Sequence, residues 1–148
     1  MSNIKGCNLP DDLYYNIEKH VWAKPIDGGN IRVGMTSVAV NLSGGKLIAC
    51  TVKTKNIGQE IKQNKSLATL ESSKFVGPVP APVTGILVKA NEKLAADPNI
   101  AVSDPYGEGW IAEMNPTSWE SEKESLAFGP EGLAKYQAKL EADGITCE

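Results

Sequence analysis

Short apolar runs alternate with Gly, Pro, Asn and Asp over most of the chain between residues 20 and 114. This spacing predicts short strands joined by tight turns. Between two such runs, residues 27–30 read DGGN, which predicts a hairpin because Gly28 and Gly29 adopt positive φ at little cost. Asn64 is the non-glycine residue best suited to a left-handed turn position. The pattern therefore predicts a mainly β domain built from two small sheets.

Helical signals are weaker and lie around this β region. The first ten residues are polar and predict a loose segment, and Asp11 and Asp12 predict the cap of a helical turn over 13–18. Thr36 predicts the cap of a short helix that carries three inward side chains: Val38, Ala39 and Leu42. Near the end, capping residues at 117–118 predict one helix start. A longer helix is predicted from Pro130 to Gly144, with Leu133, Tyr136 and Leu140 on one face.

Length, charge and cysteine content narrow the class of protein. A chain of 148 residues suits one domain, and 15 basic against 18 acidic residues argue against nucleic-acid binding. No apolar run predicts a membrane span and the first residues lack a secretory signal, so we expect a cytoplasmic protein. Cys7, Cys50 and Cys147 are widely spaced, which predicts thiols in a reducing compartment, with Cys50 in the core. Cys7 and Cys147 are either functionless solvent thiols or terminal redox groups.

One lysine has an unusual setting in the stretch LESSKFVGPVPAPVTG, residues 70–85. Lys74 lies between two predicted strands, so it is expected at the tip of a hairpin. The prolines at 78, 80 and 82 cannot donate ladder hydrogen bonds, which predicts an edge strand after the tip. A lysine at such a tip is sterically open to a modifying enzyme.

Several motifs together resemble the H protein of the glycine cleavage system, a family of lipoyl carriers. They are ESSKF, PAPVTG and SDPYGEGW, and the resemblance covers about residues 9–126. The matching positions are Glu71, Ser72, Lys74, Pro82, Gly85, Pro105, Tyr106, Gly107, Gly109 and Trp110, with His20, Trp22, Gly34 and Thr36 upstream.

The resemblance implies a single domain with a barrel-sandwich hybrid fold, short peripheral helices and a C-terminal helical extension at about 127–148. It implies lipoate joined by an amide to Lys74, no catalytic residue and no metal site. The implied partners are a lipoate-attaching enzyme, dihydrolipoamide dehydrogenase and the glycine cleavage enzymes, with the carrier itself a monomer. His20 is either a contact of the arm or a structural histidine beside Trp22.

Three positions depart from the family pattern by replacing polar groups with apolar ones: Val21, Leu42 and Pro78. A cationic aminomethyl group buried against them would lose its partners. Such departures resemble the H-protein-like lipoate-binding proteins that act with a heterodisulfide-reductase-like complex in cytoplasmic sulfur oxidation. We therefore expect sulfur-linked intermediates on the arm, with Phe75 changing the surface that partners meet. Alternatives are an aminomethyl cargo in glycine cleavage, a biotinyl group on Lys74, and an unmodified scaffold that binds partners.

Overall fold

The computed structural model describes residues 2–74 and 76–147. The expectation about Phe75 lies outside the described residues. The strands are β1 (Ser2–Ile4), β2 (Cys7–Leu9), β3 (Tyr14–Asn16), β4 (Val21–Pro25), β5 (Ile31–Met35), β6 (Ala49–Val52), β7 (Glu60–Ile61), β8 (Ser66–Glu71), β9 (Val76–Pro80), β10 (Gly85–Ala90) and β11 (Ala112–Pro116). The helices are α1 (Ser37–Leu42), α2 (Glu92–Ala96), α3 (Ile100–Ser103), α4 (Trp119–Glu122) and α5 (Gly129–Asp143).

Two antiparallel sheets form the body of the protein. The larger has the strand order β3-β4-β5-β11-β10-β7, and the smaller has the order β6-β8-β9. Side chains from both sheets share one hydrophobic cluster, which includes Val33 and Met35 of β5 and Leu67 and Leu70 of β8. This arrangement is the predicted barrel-sandwich hybrid, and it fixes the β8–β9 hairpin at one end of the molecule.

The turn and edge predictions are confirmed. Gly28 and Gly29 connect β4 to β5 with φ of 80° and 79°, and Asn64 has φ of 71°. Strand β9 lies at the edge of the smaller sheet and pairs with β8. Its prolines are tolerated there because an edge strand has one side free of ladder hydrogen bonds.

The N-terminal predictions are wrong. Residues 14–16 form a strand instead of a helical turn, because Tyr15 pairs with Trp22 and its side chain is buried. The preceding segment is ordered as the β1–β2 hairpin, with Leu9 buried. Tertiary pairing outweighed the weak helix-capping signal of the two aspartates.

The prediction of free thiols at Cys7 and Cys147 is also wrong. These residues form a disulfide with their Cα atoms 5.0 Å apart, 140 residues apart in the sequence. Cys7, the first residue of β2, is fully buried and Cys147 is half-buried, so neither is a free solvent thiol. Cys50 is free and buried as predicted, and burial raises the pKa of its thiol to about 12.

Helix α5 packs on the second hydrophobic cluster of the protein. The predicted end at Gly144 is confirmed by its left-handed conformation, and Leu133, Tyr136 and Leu140 are buried. They join a second hydrophobic cluster that also contains Cys7 and Leu9. Among the described residues, no helix combines the length and apolarity needed to cross a membrane.

Candidate functional site

Lys74 lies on the predicted hairpin tip. Glu71 of β8 pairs with Val76 of β9, so Ser72, Ser73 and Lys74 lie in the tip between these strands. The Ser72 hydroxyl accepts a hydrogen bond of 3.2 Å from the Lys74 amide, which orders the turn from within. The Lys74 side chain is exposed, and among the described residues no carboxylate forms an ion pair with it. The structure thus presents a primary amine on a rigid support.

A pair of glycines after α1 supports the Lys74 side chain. Gly44 and Gly45 have φ of 84° and 79°. A Cβ placed on Gly44 would lie 3.1 Å from Lys74 Cε and 3.6 Å from its Nζ. The lysine therefore passes directly over backbone that carries no side chain, and any larger residue at position 44 would displace it.

The Lys74 side chain forms part of the wall of a cavity of about 450 Å³, here called the Lys74 cavity. The cavity extends from the hairpin tip along α1 to the two termini of the chain. Its lining residues are Gly6, Asn8, Ser37, Val40, Asn41, Gly44, Gly45, Lys74 and Cys147. A tethered group on the lysine has room to lie along this surface.

A second cavity lies on the other side of α1 and is here called the α1 cleft. It measures about 320 Å³ and brings together Val21, Leu42 and Pro78, the three positions singled out in the sequence. Leu42 was predicted to point into the core, but it is 41% exposed because it ends α1 at this cleft. The remaining lining residues are Glu18, Lys19, His20, Met35, Ala39, Leu70, Gly77 and Val79. The cleft is therefore lined mainly by apolar residues, with the exposed charged residues Glu18 and Lys19 at its rim.

His20 connects the α1 cleft to the C-terminal helix. Its Nδ1 lies 2.8 Å from the Tyr136 hydroxyl, which lies 2.9 Å from Thr36 Oγ1. Burial lowers the pKa of His20, and the charge of Asp143 opposes that effect. A neutral imidazole that accepts from Tyr136 while Thr36 donates to Tyr136 satisfies all three groups. His20 is thus buried in a hydrogen-bonded network that reaches Thr36, the N-cap residue of α1.

The segment containing Tyr106 also holds the start of α1 in place. The Tyr106 hydroxyl accepts a hydrogen bond of 2.8 Å from the Ser37 amide and donates to the Asn8 carbonyl at 2.6 Å. The Trp22 indole donates to the Pro105 carbonyl at 3.0 Å. These hydrogen bonds hold β2, β4 and α1 together, so Pro105 and Tyr106 of the SDPYGEGW motif have a structural role.

The predicted site residues do not all lie in one site. Lys74 and the α1 cleft lie beside α1, and Tyr106 binds the first residue of that helix, Ser37, which also lines the Lys74 cavity. Sequence reasoning did not single out Glu18 or Gly44, and it named Cys147 only as a functionless solvent thiol or a terminal redox group. Only the adjacent glycines at 44 and 45 carry a local signal, since two consecutive glycines after a helix indicate unusual backbone geometry.

The fold and site define a barrel-sandwich hybrid that displays a lysine on a hairpin tip beside two cavities. Its residues 13–140 match the family model described as glycine cleavage H-protein. Two relatives from Aquifex aeolicus are "Glycine cleavage system H protein 2", 40% identical over 97% of this chain and 87% of the relative, and "Glycine cleavage system H protein 5", 41% identical over 99% of each. A crystal structure of a glycine cleavage system H protein from Mycobacterium marinum matches with a TM-score of 0.71 and 28% identity, over 93% of this chain and 100% of that one.

The chain therefore belongs to the glycine cleavage H-protein family, a family of lipoyl carriers. The match includes the hairpin, α1 and most of α5, but it leaves out Gly6, Asn8 and Cys147, which also line the Lys74 cavity.

Proposed function

We propose that this protein is a non-catalytic carrier whose Lys74 holds lipoate in amide linkage. The observation that carries the proposal is the exposed Lys74 amine on the β8–β9 tip, in a chain of this family. The site fits the group, because the Lys74 cavity provides about 450 Å³ beside the amine and Gly44 leaves the path of the side chain open.

The hairpin gives the arm a fixed origin. Strand β8 pairs with β6 on one side and β9 on the other, so its end at Glu71 cannot shift without breaking a ladder. The amide removes the lysine charge, and the bound group supplies a disulfide–dithiol couple at the end of a long tether. Tethering raises the effective concentration of that couple at a docked enzyme to about millimolar. The protein itself needs only to hold, present and shelter the group.

Intact-mass measurement after expression in a lipoate-competent host tests the attachment. The wild type and Lys65→Arg should each gain the mass of one lipoyl group, because Lys65 lies in a turn away from the tip. Lys74→Arg should gain none, since guanidinium does not form the amide. A biotin mass or an unmodified wild type would contradict the proposal, and the latter would favour a partner-binding scaffold.

For the cargo, we propose an aminomethyl group in a glycine cleavage system, which replaces sulfur-linked intermediates as the leading hypothesis. The relatives bear the glycine cleavage name, and the structure adds an argument of its own. Glu18 is an exposed lining residue of the α1 cleft, and its carboxylate has the charge that would attract a cationic amine. Glu18 also faces Lys139 Nζ at 3.3 Å, so an incoming amine would compete with an exposed ion pair that is weak by nature.

A second candidate cargo is a sulfur-linked intermediate handed on by a heterodisulfide-reductase-like complex. The observation that favours it is the apolar wall formed by Val21, Leu42 and Pro78. A buried amine finds no hydrogen-bond partner in those side chains, whereas a neutral sulfur adduct needs none.

Reconstitution separates the two cargoes. With lipoate on Lys74, glycine decarboxylase and its aminomethyltransferase should turn over glycine, and Glu18→Gln should shorten the lifetime of the loaded carrier. The matched control is Glu141→Gln, an exposed acid on α5. Absence of turnover beside an active reference carrier would contradict the aminomethyl cargo. A stable sulfur adduct seen by mass after exposure to polysulfide would then support the second candidate.

A further inference from the structure

The Cys7–Cys147 disulfide shares a cavity with the side chain of Lys74. Cys147 lines the Lys74 cavity, while Cys7 lies behind it and is fully buried. Cys147 Sγ is 3.8 Å from the Ser37 carbonyl oxygen, and Ser37 lines the same cavity. Cys147 and Lys74 therefore line the same cavity, with Cys147 Sγ next to Ser37 in its wall.

We infer that this disulfide is a second redox centre, which exchanges electrons with a dithiol carried on Lys74. The inference rests on the proposed attachment of lipoate to that lysine. The ligand class is an alkyl dithiol presented from the cavity side. Tethering to the same chain places its thiols near Cys147 at an effective concentration far above that of free dithiols.

The exchange balances within one molecule. A thiolate from the cavity side attacks Cys147 Sγ, and Cys7 Sγ leaves with the electron pair of the broken bond. When exchange is complete, one sulfur–sulfur bond joins the two sulfurs of the dithiol, and Cys7 and Cys147 have gained two electrons and two protons. The reverse reaction returns the two electrons and two protons to the dithiol, so no outside oxidant or reductant enters the step.

Several hydrogen bonds keep Cys147 at the cavity after the bond breaks. Its amide donates to the Lys5 carbonyl at 2.8 Å, and the Thr146 hydroxyl donates to the same carbonyl at 2.9 Å. The Asn41 side chain donates to the Thr146 carbonyl at 2.8 Å, which fixes the C-terminal segment to α1. The two thiols thus remain close together, as a reversible exchange requires.

The experiment starts from wild type purified without reductant, with lipoate content read by intact mass. Dihydrolipoamide dehydrogenase and NADH then reduce the arm, and the sample is quenched in acid, unfolded and alkylated. Peptide mass spectrometry reports the alkylated fraction of Cys7 and Cys147, with Cys50 as the internal standard for complete alkylation. Lys74→Arg, which has the disulfide but no arm, receives identical treatment.

We expect the disulfide to open in wild type and to stay closed in Lys74→Arg. A mixture of two variants supplies the second comparison. The lipoate-bearing variant Cys7→Ser/Cys147→Ser provides the dithiol but has no disulfide, and Lys74→Arg provides the disulfide but has no arm. At micromolar protein this mixture should react about a hundredfold or more slowly than wild type, because its exchange is bimolecular.

Three results would overturn the inference. They are a disulfide that persists in lipoate-bearing wild type, equal opening in Lys74→Arg, and a mixture that reacts as fast as wild type. Absence of lipoate from the wild type is a separate result, visible in the first mass measurement, and it would overturn the proposed function together with this inference.

Discussion

Breaking the Cys7–Cys147 bond should destabilise the protein chiefly through its unfolded state. The bond joins residues separated by 140 positions, so it closes almost the whole chain into a loop. In the chain-entropy description, a loop of that length restricts the unfolded ensemble by about 5 kcal/mol at 25 °C. Measured effects are usually smaller, so we expect a loss of about 2–5 kcal/mol in the free energy of unfolding.

The folded state should change little when the bond opens. The amide of Cys147 and the hydroxyl of Thr146 keep their hydrogen bonds to the Lys5 carbonyl. Far-ultraviolet circular dichroism in the absence of denaturant should therefore be the same with and without reductant. The free energy of unfolding typically falls by about 2 kcal/mol per molar urea, so the loss of stability should lower the unfolding midpoint by about 1–2.5 M urea.

The assay is urea unfolding of wild type and of Cys7→Ser/Cys147→Ser, each with and without a phosphine reductant. Reduced wild type and the double variant should unfold at similar midpoints, and reductant should not affect the double variant. Equal midpoints for oxidised and reduced wild type would refute the reasoning, as would a reductant effect in the double variant.

Three further substitutions probe the support of the site. Tyr136→Phe should cost about 1–3 kcal/mol in urea unfolding, because buried groups on Thr36 and His20 lose their partner. Wild type should lose stability as the pH falls below about 6.5, the ordinary pKa of histidine. The reason is that burial holds the pKa of His20 lower in the folded state than in the unfolded state. His20→Asn should remove that part of the pH dependence. Gly34→Ala should cost about 1–3 kcal/mol, because the new Cβ would lie 2.5 Å from the Trp22 ring.

Each substitution has a control or a contradicting outcome. For Tyr136→Phe the control is Tyr14→Phe, since Tyr14 is half-buried and packs against Phe128. Equal losses for the two tyrosines would contradict the hydrogen-bond explanation. For His20 the direction of the pH effect is fixed, because a group whose pKa is lowered by folding stabilises the folded state at pH values above its unfolded pKa. Because His20 is the sole histidine in the sequence, a His20→Asn profile identical to wild type between pH 5 and 7 would contradict it. An unchanged midpoint in Gly34→Ala would contradict the close packing on Trp22.

The hairpin that carries Lys74 was predictable because its signals are local. The β run before the lysine and the prolines after it indicate two strands and an edge without reference to the rest of the chain. The same holds for α5, whose buried residues recur at helical spacing and whose end at Gly144 is a left-handed cap.

Features that depend on distant pairing could not be predicted in this way. The disulfide joins the two ends of the chain, and nothing in the spacing of three cysteines indicates which two meet. Residues 14–16 have a helix-capping signal before them, yet pairing with β4 makes them a strand. The α1 cleft was anticipated from substitutions at Val21, Leu42 and Pro78, but the charged rim at Glu18 became visible only in the fold. That rim supports the aminomethyl cargo as the leading hypothesis.

The most direct test of the central claim is peptide mapping of protein from a lipoate-competent host. The account predicts that the peptide containing Lys74 carries one lipoyl group and that peptides containing other lysines carry none. Lipoate on a different lysine, or an unmodified Lys74 beside a reference carrier that the same host modifies, would contradict it.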